Sequence, residues 1–146
     1  MIDQNIFENT IDFTGVKVLL YVNDNHAIFE QRDGKGAFPF LIDLIGGGRE
    51  NNESPLENMI REVYEETGLN VHSSDIIQAH IRQSLADETR MAFFFVVKVE
   101  ESLHSITFGN EGLGLVILDP QVFIELDNGV KGQQIKVRDY LTSKTV

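Results

Sequence analysis

The sequence predicts an α/β fold in which one mixed β-sheet carries helices on both of its faces. Segments rich in apolar and β-branched residues alternate along the chain with segments of helical periodicity. The run Ala92–Val97 is continuously apolar, which is typical of a strand covered on both sides. Residues 55–67 have the pattern of an amphipathic helix. One sheet between two helical layers is the simplest arrangement of these elements.

The elements follow in order along the chain. Residues 1–14 are polar with scattered apolar positions, so we expect a loose lead-in or an edge strand. The later predictions are strands at 16–22, 26–32, 76–85, 91–99 and 113–118, and helices at 55–67, 119–126 and 133–143. Residues 38–45 form a short apolar segment that leads into a predicted glycine turn, Gly46–Gly48. We find no linker and expect a single domain over residues 1–146.

The helix at 55–67 has specific start and stop signals. Ser54 is a good N-cap, Pro55 suits the first helical position, and Glu57 completes a capping box with Ser54. Gly68 stands where a C-terminal glycine is expected. The apolar residues recur at helical spacing, so one face of this helix should pack on the sheet.

Composition excludes several classes of function. The chain has 146 residues, no cysteine and a formal charge of −11, from 23 acids and 12 bases. Disulfides and thiolate chemistry are therefore excluded, and duplex nucleic acid is an unfavourable partner for so acidic a surface. No segment predicts a signal peptide or a membrane span, so we expect a cytoplasmic protein. We also expect the protein to be either a monomer or a homodimer.

Three acids of the predicted helix carry the functional signal. Glu62, Glu65 and Glu66 fall on an arc beside the apolar stripe. Carboxylates are hard oxygen ligands, and several on one helix face favour a divalent cation among them. A solvated acidic face is the alternative for three acids alone. The residues around these acids decide between a cation site and a solvated acidic face.

Residues 47–69 match the pattern G-x5-E-x7-R-E-(apolar)-x-E-E-x-G-(apolar) at every position. This pattern resembles the signature of the Nudix hydrolases, and the order of elements is similar to the Nudix α/β/α sandwich. The resemblance implies Mg²⁺ or Mn²⁺ as cofactor and a small nucleotide as substrate. It also implies hydrolysis of a nucleoside diphosphate that is linked to another group.

The resemblance carries roles to individual residues. Glu62, Glu65 and Glu66 correspond to the metal ligands, and the carbonyl of Gly46 to a backbone ligand. Glu53 and Arg61 correspond to residues that support catalysis by holding the loop against the helix.

The general base is expected from outside this pattern. Gly109-Asn110-Glu111-Gly112 resembles a loop that supplies an acidic residue to the metal site in MutT-like members. Glu111 is therefore the candidate for an additional ligand or the base. Glu65 is the rival base, and Glu88 is a more distant one.

Several further residues are candidates for substrate binding. Arg32 could contact phosphates, although a surface salt bridge is an equal alternative. Phe38 and the neighbouring Phe40 could stack on a base, although core packing is the stronger expectation. Gln133 and Gln134 lie near the place where MutT-like members have a base-reading side chain.

A nucleoside triphosphate, standard or oxidised, is the expected substrate, with a nucleoside monophosphate and pyrophosphate as products. The alternative substrates are a nucleoside diphosphate sugar, ADP-ribose or a dinucleoside polyphosphate. A Nudix module that senses a nucleotide without hydrolysing it is an alternative of another class.

Overall fold

The computed structural model describes residues 3–36, 38–85, 87–100, 105–109 and 112–144. These residues form a six-stranded mixed sheet with the strand order β4-β5-β1-β3-β2-β6. The strands are β1 (Gly15–Tyr21), β2 (Ala27–Gln31), β3 (Ile42–Gly48), β4 (Ile76–Gln83), β5 (Met91–Lys98) and β6 (Gly114–Leu118). Strands β1 and β5 pair in parallel, and the other pairings are antiparallel.

Helices cover both faces of this sheet. They are α1 (Gln4–Asn9), α2 (Pro55–Thr67), α3 (Pro120–Phe123) and α4 (Lys131–Lys144). Alternate residues of the strands feed two separate cores, because successive side chains of a strand point to opposite faces. The predicted α/β/α sandwich is therefore confirmed.

The two cores assign the helices to their faces. On one face, Met59 and Val63 of α2 pack with Val18 of β1 and Phe95 of β5. On the other face, Phe123 of α3 and the α4 residues Val137 and Tyr140 pack with Leu19 and Phe94. The apolar run in β5 is buried on both sides, as its composition predicts.

Helix α2 begins and ends where its signals place it. The Ser54 side chain accepts a hydrogen bond from the backbone N–H of Glu57, whose carboxylate accepts one from the N–H of Ser54. Gly68 has a left-handed φ of 75° at the C-terminal end. These caps fix where the helix begins and ends, and the packing of its apolar face on the sheet sets the direction of its acids.

Two predictions of secondary structure are wrong. Residues 4–9 form helix α1, because Asp3 caps its first turn and the Phe7 ring packs against Phe95 with ring centroids 5.7 Å apart. Gly46–Gly48 do not form a turn but are the end of strand β3, where they pair with β1. The glycines serve a close approach of two backbones rather than a reversal of the chain.

Within the described ranges, no helix has the length and apolar character needed to cross a membrane.

Candidate metal and substrate site

The glycines of β3 let helix α2 approach the sheet backbone. Gly46 has a φ of +138°, and a Cβ at this residue would lie 2.2 Å from the carbonyl oxygen of Val16. A Cβ at Gly47 would lie 2.6 Å from Glu62 Oε1. Only glycine fits at residue 46, because the Val16 carbonyl belongs to the backbone and cannot move away, whereas a Cβ at residue 47 would force the Glu62 side chain to shift. The glycine strand thus forms a cradle for a carboxylate of α2.

Glu66 is the most buried of the three helix acids. Its Oε2 accepts a hydrogen bond of 2.8 Å from the backbone N–H of Gly46, and the residue is 9% exposed. Burial raises the pKa of Glu66 well above its usual range, and a hydrogen bond and the charge of Glu30 raise it further. Glu30, on β2, is itself buried. Two buried carboxylates side by side are stable together only when they share a proton or bind a cation.

Arg61 ties the loop before α2 to the helix. Its Nε and Nη2 donate to the two carboxylate oxygens of Glu53 at 2.6 and 3.0 Å, and Nη2 also donates to the carbonyl of Gly48 at 2.9 Å. Burial favours the protonated form of Glu53, but the hydrogen bonds from Arg61 and from the Glu50 backbone outweigh it and lower the pKa of Glu53. The two residues therefore hold the loop against the helix.

Arg61 also forms ion pairs with two of the predicted metal ligands, Glu62 and Glu65. Its Nη1 lies 3.1 Å from Glu62 Oε1 and 3.0 Å from Glu65 Oε2. The Glu65 side chain is 53% exposed, whereas that of Glu62 is 13% exposed. Among the described residues, no three Asp, Glu or His side chains are gathered closely enough to hold a metal ion as they stand. Glu62 and Glu65 are thus both paired with Arg61.

The donor set nevertheless fits a divalent cation. Glu62, Glu66 and Glu30 supply carboxylate oxygens beside a backbone that glycine keeps open, and Mg²⁺ and Mn²⁺ prefer such oxygen ligands. The buried pair Glu30 and Glu66 is the observation that most favours a cation here, because a cation would allow both to ionise.

The candidate base Glu111 lies outside the described residues. The residues near it in sequence do contact the site. Gly109 N donates to the carbonyl of Glu66 at 3.2 Å, and a Cβ at Gly109 would lie 2.2 Å from the Glu65 carbonyl oxygen. Leu113 N donates to the carbonyl of Gln31 at 2.8 Å, next to Glu30. The more distant candidate, Glu88, is exposed in the turn between β4 and β5.

Three of the predicted substrate residues, Arg32, Phe38 and Gln133, line one cavity of about 490 Å³, which also reaches Gly47 and Gly48. Arg32 is not in a surface salt bridge, since its partner Asp43 is buried and lies 3.0 Å away. The prediction that Phe38 and Phe40 pack in the core is wrong, because these residues are 40% and 58% exposed. Both have positive φ angles. Gln133, on α4, is buried at the wall of the cavity.

Sequence reasoning missed four charged residues: Lys17, Glu30, Asp43 and Lys136. A signal was present for two of them. Lys17 and Asp43 each interrupt an apolar strand, and their side chains form an ion pair of 3.0 Å. Burial lowers the pKa of Lys17, but Asp43 and Glu30 reverse this effect and raise it overall. Glu30 and Lys136 had no such signal, since each lies in a polar stretch.

Comparison with known proteins identifies the family of this chain. The Nudix domain family model matches residues 13–132. No curated protein matches the chain. Among solved structures, a MutT protein from Methanosarcina mazei Go1 superimposes with a TM-score of 0.71 at 16% identity, covering 92% of this chain and 97% of the other.

Two further solved structures share the fold. A dihydroneopterin triphosphate pyrophosphohydrolase from E. coli has a TM-score of 0.66 at 15% identity, covering 90% of this chain and 99% of the other. A bifunctional NMN adenylyltransferase/ADP ribose pyrophosphatase from Francisella tularensis, complexed with AMP and a Mn ion, has a TM-score of 0.69 at 18% identity. That alignment covers 90% of this chain and 42% of the other. The family match spans most of the chain, and the fold agrees with it: this chain belongs to the Nudix family.

Proposed function

We propose that the protein hydrolyses a nucleoside triphosphate to a nucleoside monophosphate and pyrophosphate, with Mg²⁺ or Mn²⁺ bound at the glutamates of α2. The buried pair Glu30 and Glu66, held against the backbone of Gly46, is the observation that carries the proposal. One water molecule is added across an anhydride bond, so the products are the monophosphate, pyrophosphate and one proton.

The proposed metal ligands are Glu62, Glu66 and the Gly46 carbonyl. Glu65, which is more exposed, becomes available as a further ligand when its ion pair with Arg61 is broken. A divalent cation would neutralise the phosphate charge and lower the pKa of the attacking water. We assign Glu111 as the base or an additional ligand, because Gly109 lies against the end of α2 that bears Glu65 and Glu66.

Arg61 and Glu53 act on position rather than on the substrate. The paired hydrogen bonds between them fix the loop at residues 49–53 to α2, and the contact with the Gly48 carbonyl fixes the glycine strand. The ligands on α2 and on β3 are therefore held at a constant separation. Such preorganisation is what keeps an electrostatic site effective in the transition state.

The cavity beside Gly47 and Gly48 is the proposed place for the nucleoside. Its volume of about 490 Å³ lies within the range of roughly 300–1,000 Å³ that is usual for small-molecule sites. Arg32 and Phe38 are at its wall, so a base could stack on Phe38 while Arg32 remains near the phosphates.

Product analysis tests this proposal. We expect the protein with Mg²⁺ to convert at least one triphosphate in a panel of standard and oxidised nucleotides to monophosphate and pyrophosphate, as resolved by anion-exchange chromatography. Nucleotide sugars, ADP-ribose and dinucleoside polyphosphates serve as competing substrates in the same panel. If the protein hydrolyses only one of these competing compounds, that compound and not a nucleoside triphosphate defines the substrate class. Binding without turnover of any compound would contradict the enzyme and favour a nucleotide-sensing module.

A further inference from the structure

The sheet ends in two edge strands, β4 and β6, and these differ in how they are protected. An open edge presents backbone N–H and C=O groups that can pair with another chain, so proteins usually place charged side chains there. Strand β4 carries Arg82, which forms an ion pair of 3.0 Å with Asp139. The segment from Leu113 to Leu118, which contains β6, has neither a charged residue nor a proline. The edge of β6 therefore lacks the usual protection.

Alternate residues of β6 direct their backbone groups away from the sheet. The N–H of Arg32 donates to the carbonyl of Leu41 at 2.9 Å, so the even-numbered residues of β2 bond towards β3 and the odd-numbered ones towards β6. Leu115 and Ile117 lie opposite even-numbered residues of β2. Their own N–H and C=O groups therefore point outward, and among the described residues no loop or side chain is hydrogen-bonded to them.

The side chains at this edge are apolar and partly exposed. Ile117 is 37% exposed, and Leu113, just before the strand, is 56% exposed. No residue of β6 is buried. Because the chain has a net charge of −11, two copies repel each other wherever their acids meet. An edge without charged residues avoids this repulsion, so it is compatible with a second copy of the same chain.

The sequence of β6 is also complementary to itself. When two copies of Gly114–Leu118 pair antiparallel with full overlap, a two-fold axis passes through Val116. Leu115 then lies opposite Ile117 of the second copy, and each such pair exchanges both of its N–H···O=C bonds. Gly114 lies opposite Leu118, and no heavy atom is within 4 Å of the position that a Cβ at Gly114 would take. The glycine thus leaves room for the leucine.

We propose that the protein forms a symmetric homodimer in which the two β6 strands pair antiparallel about Val116. The two six-stranded sheets then form one continuous sheet. Leu115 and Ile117 of both copies meet on one face of it and form a shared apolar contact. Leu115 is also the register partner of Glu30, so the interface adjoins the buried carboxylate pair. The pairing itself requires neither a metal ion nor the proposed activity.

Sedimentation equilibrium tests whether this dimer exists. At about 100 µM the parent protein should have twice the mass of one chain, since small interfaces have dissociation constants of roughly micromolar order. Ile117→Lys places like charges on diagonal neighbours across the two-fold axis, so it should raise the dissociation constant at least about tenfold. Ile77→Lys is the matched control, because Ile77 is similarly exposed, at 43%, on the opposite edge strand β4. This control should leave the dissociation constant unchanged.

A disulfide tests the register of the pairing. The chain has no cysteine, so Val116→Cys introduces a single thiol, which the proposed register places at the two-fold axis. Val116 is opposite itself in a pair without mutual hydrogen bonds, so the two Cα atoms should be about 4.5 Å apart, within the roughly 4.4–6.8 Å that a disulfide requires. Oxidation in air with copper phenanthroline should convert most of this variant to a covalent dimer on a non-reducing gel. Ile77→Cys should remain monomeric on the same gel.

Three outcomes would overturn the proposal: a monomeric parent at this concentration, equal dissociation constants for Ile117→Lys and Ile77→Lys, or a dimeric Val116→Cys that does not cross-link. A monomeric parent would leave the edge of β6 open to a different partner. Circular dichroism establishes that each variant is folded. If Ile117→Lys does not fold, the mass of the parent and the cross-linking of Val116→Cys still decide the question.

Discussion

Glu66→Gln should lower the turnover number at least about a hundredfold, which corresponds to a loss of about 2.7 kcal/mol of transition-state stabilisation. The amide keeps an oxygen that can accept the Gly46 N–H, but it removes the negative charge that a cation requires. The rate of pyrophosphate release at saturating Mg²⁺ is the measurement.

The same substitution should leave the fold intact. Burial and the neighbouring Glu30 raise the pKa of Glu66 and so favour its protonated form, which glutamine resembles in shape and charge. The circular dichroism spectrum and the melting temperature without metal should therefore match those of the parent. Glu125→Gln, at an exposed position, is the control and should retain full activity. A near-normal rate for Glu66→Gln would show that the metal ligands are misassigned.

Gly46→Ala should lower the free energy of unfolding by about 3 kcal/mol or more. The added Cβ meets the Val16 carbonyl at 2.2 Å, and that atom belongs to the backbone and cannot rotate away. Alanine also disfavours a φ of +138°. Urea unfolding followed by circular dichroism gives the change in free energy.

Gly114→Ala provides the matched control for this prediction. Gly114 also lies in a strand, but no heavy atom is within 4 Å of the position that a Cβ would take there. The change in unfolding free energy should therefore stay below about 1 kcal/mol. Equal stability of Gly46→Ala and the parent would contradict the close approach of β1 and β3.

The fold was predictable wherever a local signal agreed with burial. The capping box of Ser54 and Glu57, together with Gly68 at the other end, predicted where helix α2 begins and ends. The continuous apolar run in β5 predicted a strand that is buried on both faces. Helix α1 was missed because its six residues contain little periodicity and owe their position to the contact of Phe7 with Phe95. Tertiary packing decides such short elements.

The candidate site was predictable only where its residues are close in sequence. The spacing of Glu62, Glu66 and Arg61 on one helix was visible in the chain, whereas Glu30 joins Glu66 through the pairing of strands. Gly46–Gly48 suggested a turn, since glycine is more often associated with turns than with a close approach of two strands. The ion pairs of Arg61 with Glu62 and Glu65 also could not be inferred from spacing, because they depend on the local balance of charge.

Binding of Mn²⁺ is the most direct test of the central claim, that the glutamates of α2 and the glycine strand form a divalent cation site. Electron paramagnetic resonance measures free Mn²⁺ as the protein is added. We expect the parent protein to deplete the free signal, Glu66→Gln to deplete it far less, and Glu125→Gln to behave like the parent. Equal depletion by the parent and Glu66→Gln, or none by either, would contradict the claim.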